Sequence, residues 1–392
     1  METIRAVRLS WILAAVALIA CTSQTESSPQ PARHLQITGT SFRTAAGEAF
    51  SWRGISAFRL TEMVAHGRRD EAAAFLDWAA SRQLSVVRVF TMASHLFKLT
   101  PQDGVRALPE LLEMAAARGL HVEIVALADT AALTTDSIDI GAHVKAVGAI
   151  AARHPNALLE IANEPSHATQ ARTIHDPQEL RRLASLVPAP VPLSLGSAEE
   201  NEAFAAGEYA TFHFPRSHGS SGWGHVLALA RGAALVSAWN KPVVSDEPIG
   251  AAPAVIPGRR DSDPDRFRAA ALLSRLAGIG ATFHYEQGLH AKIPTDQEAR
   301  CFEAWNEAWT LLPSSLEQQG TFREAGRPGA AVASFDPKTA EAVFERQVGA
   351  TAYVLVVNAT GEPVVRWAEG WRRTAVKPLG KAWLLTGRRG PD

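Results

Sequence analysis

The stretch ALLEIANEP, Ala157 to Pro165, runs apolar for the length of a strand and then stops at Asn163, Glu164 and Pro165. An apolar run closed by polar residues and a proline reads as a strand whose end is a turn. Seven more runs have the same form: FSWRGISAF (50–58), LSVVRVFTM (84–92), HVEIVALAD (121–129), VPLSLGSA (191–198), YATFHFPR (209–216), KPVVSDEP (241–248) and GATFHYEQG (280–288). Between them lie segments of helical period, among them RDEAAAFLDWAASRQ (69–83), ALPELLEMAAARG (107–119), IGAHVKAVGAIAARH (140–154) and GHVLALARGAALVSAWN (224–240). Eight strand-helix units in succession predict an α/β fold, a (β/α)8 TIM barrel over residues 35–314. A doubly wound open sheet is the rival, and the glycine-rich phosphate turn that favours it is missing after the first strand.

Beyond Leu312 the pattern changes. AAVASFDP, EAVFERQV, TAYVLVVNA, PVVRWAEG and AWLLTG are strand-like with turn signals and no long helical segment between them, which predicts a small C-terminal β-sandwich domain over 315–392. At the other end, Arg5 and Arg8 precede an apolar segment, Trp11 to Ala20, that is too short for a stable transmembrane helix. Leu18-Ile19-Ala20-Cys21 resembles the lipobox of bacterial lipoproteins. That resemblance implies a signal peptide over 1–21, acylation of Cys21 and anchoring to the cell envelope. Residues 22–34, rich in Ser, Thr, Gln and Pro, are expected to be a flexible linker.

Composition narrows the function. The 392 residues carry a formal net charge of -1, which excludes the basic excess of a nucleic-acid binder. Cys21 and Cys301 are the only cysteines, so no disulfide is expected in the mature fold, and Cys301 in a helical stretch reads as a buried, inert thiol. No HExxH, paired-cysteine or EF-hand pattern occurs, and thirteen histidines are dispersed; neither metal nor cofactor is expected.

Active sites of such barrels form at the C-terminal strand ends, which here carry Asp129, Asn163, Glu164, His213, Asp246, Glu247, Tyr285 and Glu286, with Arg88 inside the second strand. Two carboxyl groups across one cleft suit glycoside hydrolysis, which needs one acid at the leaving oxygen and one carboxylate at the anomeric carbon. LLEIANEPS followed by KPVVSDEPIG resembles clan A of the glycoside hydrolases, in particular cellulase family 5. The resemblance implies Glu164 as acid/base, Asn163 as donor to the sugar 2-hydroxyl, Glu247 as nucleophile, Arg88 as its buried partner and His213 nearby. It also implies a retaining mechanism on a β-linked oligo- or polysaccharide. Tyr285 and Trp223, the latter in the Gly/Ser-rich loop after the sixth strand, are candidates for contact with sugar. Three positions depart from the family pattern: Pro215 stands where a tyrosine is usual, FHYEQG lacks the tryptophan that ends strand eight, and Pro248 replaces an aromatic. A catalytically inactive carbohydrate-binding lipoprotein is the alternative they raise. Glu164 is expected to have its pKa raised by the charge of Glu247, and only one of Asp246 and Glu247 is expected to face the barrel interior.

Overall fold

The computed structural model describes residues 34–132, 139–253, 260–314 and 316–390. The predicted leader and Cys21 lie outside them. Eight parallel strands are present: β1 Arg53–Ser56, β2 Val86–Phe90, β3 His121–Leu127, β4 Ala157–Ala162, β5 Leu193–Gly196, β6 Ala210–Thr211, β7 Val243–Ser245 and β8 Gly280–Phe283. They pair in the order β5-β4-β3-β2-β1-β8-β7-β6. A parallel bridge from Ser197 to Thr211 joins the two ends, so the sheet is a nearly closed barrel. Each of the eight predicted runs contains one of these strands.

Caps start the outer helices, and the segment predicted over 107–119 is the helix Pro101–Ala116. Thr100 accepts from Asp103 N at 3.1 Å ahead of Pro101, and Asp263 caps the helix Pro264–Ala277, which ends at Gly278 in the left-handed region, φ 80°. The segment 224–240 is not one helix but three short pieces, Gly224–Leu227, Ala228–Arg231 and Gly232–Trp239. Gly232 sits where an added Cβ would lie 2.7 Å from Ile279, so this break brings backbone against the barrel.

Side chains fill the barrel interior in layers. At the bottom Trp52, Val86, Leu158, Tyr209 and Val244 form an apolar plug, closed below by Phe42 of the hairpin Gln36–Thr38 and Ser41–Arg43. Phe58, Phe90, Phe97 and Val125 form a second apolar cluster. The barrel also buries Arg88, Glu123, Glu160 and Asp246, each 0% exposed. Barrel interiors are ordinarily stacked with branched apolar residues; here part of the interior is charged.

The C-terminal region folds as two antiparallel sheets. With β9 Thr321–Glu324, β10 Val332–Phe335, β11 Ala342–Val348, β12 Thr351–Val357, β13 Val365–Trp367, β14 Trp371–Leu379 and β15 Ala382–Arg389, the orders are β9-β11-β12-β15-β14 and β10-β13. Val332, Val343, Val354, Val356 and Leu385 make its own core. The other face supplies Phe344, Leu355 and Leu384 to the main apolar cluster of the barrel. Arg346 donates to Leu276 O at 2.5 Å and Gln319 O at 2.7 Å. Cys301 is buried, and burial pushes its thiol up to about 12.

Candidate active site

The end of β4 is held rigidly. Asn163 N donates to Leu127 O at 2.9 Å, and the Gln170 amide donates to Leu127 O at 3.2 Å and also to Asn163 O. Glu164 then sits at φ 40°, in the left-handed region that non-glycine residues seldom occupy, and His167 N closes the turn on Glu164 O at 2.9 Å. Gly196 on β5, at φ 138°, makes room for this turn: a Cβ there would lie 2.3 Å from Ala162 O and 2.6 Å from Pro165 Cγ.

Arg88 is the hub. Its Nη1 donates to Glu247 Oε2 at 3.0 Å; its Nη2 donates to Glu160 Oε2 at 2.8 Å and Asn163 Oδ1 at 2.9 Å. Asp246 Oδ2 lies 3.1 Å from Nη2, and Glu123 Oε2 3.5 Å from Nε. Arg88 thus takes the side-chain oxygen of Asn163, which leaves the Asn163 amide nitrogen as its remaining polar group. The guanidinium also lies 5.3 Å from the Phe58 ring centroid and 5.8 Å from that of Phe90.

Four carboxyl groups around one guanidinium cannot all be ionised. Burial, then the charges of Asp246 and Glu160, push Glu123 well above the carboxylate range, so it holds a proton. Glu160 is pushed up to about 7 by burial, with Arg88 opposing. Asp246 stays below its ordinary value, because Arg88 and His213 outweigh its burial. The expectation that only one of Asp246 and Glu247 faces inward therefore fails: β7 ends at Ser245, so strand alternation no longer governs the two residues that follow.

The two predicted catalytic glutamates meet at the mouth. Oxygens of Glu164 and Glu247 and a ring nitrogen of His213 all lie within 4.8 Å of one another. His213 Nδ1 is 3.1 Å from Glu164 Oε1, and its Nε2 is 3.4 Å from Asp246 Oδ1. Despite full burial, the charges of Asp246 and Glu199 raise His213 well above the ordinary histidine value, so it is protonated. Arg216 Nη2 donates to Glu247 O at 2.9 Å and Glu247 Oε1 at 3.3 Å, and stands 3.7 Å from Glu164 Oε1.

This cation corrects a further expectation. Burial does raise Glu164, but the hydrogen bond and charge of His213 and the charge of Arg216 outweigh it, and the carboxyl falls to about 2. Glu247 is likewise held at about 2: burial and Glu164 push up, while the cations His213 and Arg216 pull down harder. The resting pair is ionised on both sides, and its proton resides on His213.

Two proposed sugar contacts are not in the cleft. Trp223 is 1% exposed and Tyr285 0% exposed, both in the main apolar cluster, and the Tyr285 hydroxyl donates to Lys292 O at 2.6 Å. The indole opens the short helix Gly224–Leu227 and points inward, where its apolar area is removed from water. On strand eight it is His284 that reaches the site, with Nδ1 2.8 Å from Ser56 Oγ and Nε2 4.0 Å from Glu247 Oε1. Burial drops it to about 3, leaving it neutral. Asp129 accepts from His95 N and Leu96 N at 3.0 and 3.2 Å, and Glu286 pairs with Arg260 at 2.6 Å; both read as structural.

Three clusters among the described residues bring ligating atoms within 4.8 Å: Glu164, His213 and Glu247; Glu123, Glu160 and Asp246; and His218, His225 and Asp261. In each, a guanidinium already holds a carboxylate, Arg216 and Arg88 in the first, Arg88 in the second and Arg266 in the third.

No protein-family model and no curated protein matches the sequence. The fold does match solved structures. One described as a glycoside hydrolase is 13% identical, with a TM-score of 0.64 over 91% of this chain and 97% of that one. A glycoside hydrolase family 5 protein from Bacteroides vulgatus is 11% identical, with a TM-score of 0.60 over 91% and 94%. A β-glucanase from Saccharophagus degradans, in complex with cellotetraose, is 10% identical, with a TM-score of 0.55 over 72% and 94%. What this chain shares with them at such identities is the backbone: its fold is the TIM barrel seen in structures of glycoside hydrolase family 5.

Proposed function

We propose that the protein is a retaining glycosidase acting on a β-linked glycan, with Glu247 as nucleophile and Glu164 as acid/base. One observation carries this reading: oxygens of the two glutamates lie within 4.8 Å at the C-terminal mouth, above a buried arginine that binds Glu247. Retention calls for carboxyl groups about 5 to 5.5 Å apart, whereas inversion leaves space for a water and needs about 6.5 to 9.5 Å. Glu247 attacks the anomeric carbon as the bond to the leaving oxygen breaks. The proton for that oxygen starts on His213 Nδ1, passes to Glu164 Oε1 across 3.1 Å and then to the leaving group. In the second half, water gives its proton back through Glu164 to His213 and its hydroxide to the anomeric carbon, which releases Glu247. Asn163 donates to the sugar 2-hydroxyl. The resemblance of residues 18–21 to a lipobox supports export and anchoring through Cys21, on the outer side of a bacterial membrane.

The experiment is hydrolysis of a panel of aryl β-glycosides by the wild type, Glu164→Ala and Glu247→Ala. Each variant should lose turnover, and azide should restore one of them with a glycosyl azide as product. Full turnover in either variant overturns the assignment. Arg216 favours a second reading, a barrel that binds glycan without cleaving it, because it adds to His213 in holding both carboxylates ionised. Glycan affinity by calorimetry with no turnover across the panel would select that reading.

A further inference from the structure

We infer that the glycan carries an acidic sugar, and that Arg216 receives its carboxylate beside the two catalytic glutamates. This rests on the glycosidase reading. The sugar in flight between leaving group and nucleophile bears positive charge at the anomeric carbon. A guanidinium in the same site opposes that charge. A unit charge roughly 5 Å from a developing like charge, at an effective dielectric of about 20, changes a rate by about two orders of magnitude. The charge opposing Arg216 in the resting site comes from Glu247 and Glu164, and Glu247 loses its charge as it bonds to carbon. With a neutral sugar the guanidinium therefore becomes least compensated at the moment the transition state forms.

A substrate carboxylate reverses this balance. Arg216 is fixed at one end by its 2.9 Å bond to Glu247 O, and its side chain remains 23% exposed, so it stays in place and reachable. A carboxylate on the sugar ring gives it a bidentate partner. It also draws charge from the guanidinium that, after His213, helps hold Glu164 down, so the acid/base becomes easier to protonate when the right substrate is present. Aromatic stacking, the alternative way to hold a neutral ring, loses its two predicted carriers here, since Trp223 and Tyr285 are buried in the core.

The test compares matched pairs of aryl β-glycosides and aryl β-glycosiduronates that share a leaving group and ring configuration. Wild type should prefer the uronate of its configuration at least tenfold in kcat/KM, and Arg216→Gln should bring that ratio close to one. Arg216→Lys, which keeps charge without the fork, should retain part of it; thermal unfolding of both variants checks folding. Equal or better hydrolysis of the neutral partner by wild type, with dependence on Glu164 and Glu247 intact, overturns the acidic-sugar inference and leaves the glycosidase reading standing. Binding decides the matter separately from turnover: Glu247→Gln titrated calorimetrically with uronic-acid oligosaccharides should bind them at least tenfold tighter than neutral ones, less so in high salt. Equal affinities overturn the inference even where no substrate is cleaved.

Discussion

Arg88→Met replaces the buried guanidinium by a side chain of similar length. The guanidinium serves Glu247, Glu160 and Asn163 by four hydrogen bonds of 2.8 to 3.3 Å, with Asp246 at 3.1 Å by charge. Removing one partner of a buried ion pair costs about 3 to 5 kcal/mol, because the other charge is left uncompensated. At about 2.1 cal/mol/K per residue, a folded unit of roughly 360 residues has an unfolding entropy near 0.75 kcal/mol/K, so the expected fall in Tm is about 4 to 7 °C. The loss should shrink on acidification, since without Arg88 the variant's buried carboxyls Glu160, Asp246 and Glu247 take up protons at higher pH than the wild type's and so shed their uncompensated charge. Differential scanning calorimetry at pH 7 and pH 4 measures both, and kcat/KM should fall by at least about a hundredfold as the nucleophile loses its partner. Arg88→Lys should recover less than half, because one ammonium cannot reach three acceptors in a fork. A Tm within about 1 °C of wild type at pH 7 would refute the assignment of Arg88 as the organising charge.

Three further outcomes follow from the same geometry. His213 titrates well above 6.5 in the folded protein, so its contribution to stability is complete below that value and is lost as pH rises through the folded pKa; the unfolding free energy of His213→Gln should differ from wild type most at pH 6 and converge with it in alkali, and the alkaline limb of the pH–rate profile should change with it. Gly196→Ala should cost at least about 3 kcal/mol in urea unfolding, since a Cβ at φ 138° meets Ala162 O at 2.3 Å, and activity should fall with the displaced Glu164 turn. Trp223→Ala should lose about 3 to 5 kcal/mol of stability while Tyr285→Phe loses about 1 kcal/mol or slightly more, the signature of core residues; a KM effect without a stability effect would restore them to the cleft.

Apolar runs were enough to place all eight barrel strands, because each is buried and its turn is marked by Gly, Pro or a polar cluster. The C-terminal sheets were legible in part: β14, WRRTAVKPL, is polar on both faces along most of its length and carries no strand alternation, yet it forms the edge of the larger sheet through its backbone bonds to β15. Of the site, the placement of Glu164, Glu247, Asn163 and His213 at strand ends and of Arg88 inside the second strand was legible, because backbone geometry alone brings them to one end of the barrel. Arg216 was not, although it follows Pro215, one of the noted departures from the family pattern. Nor could a linear sequence reveal that Glu123, Glu160 and Asp246 converge on Arg88, since that depends on register between strands far apart in the chain. Trp223 failed for the opposite reason: a glycine-rich loop promises exposure, but a large indole within it is driven inward.

The carboxyl groups beneath the mouth also limit which mutational routes are open to this barrel. Glu123 holds its proton, so a change to Gln there leaves the charge unchanged and the shape nearly so. Asp246 is ionised and balances Arg88 and His213, so its loss alone removes one counter-charge from both buried cations. Glu160, at about 7, stands between the two cases. Substitutions in this cluster are therefore order-dependent: those that follow the proton come first, and those that remove a charge become tolerable only in step with Arg88.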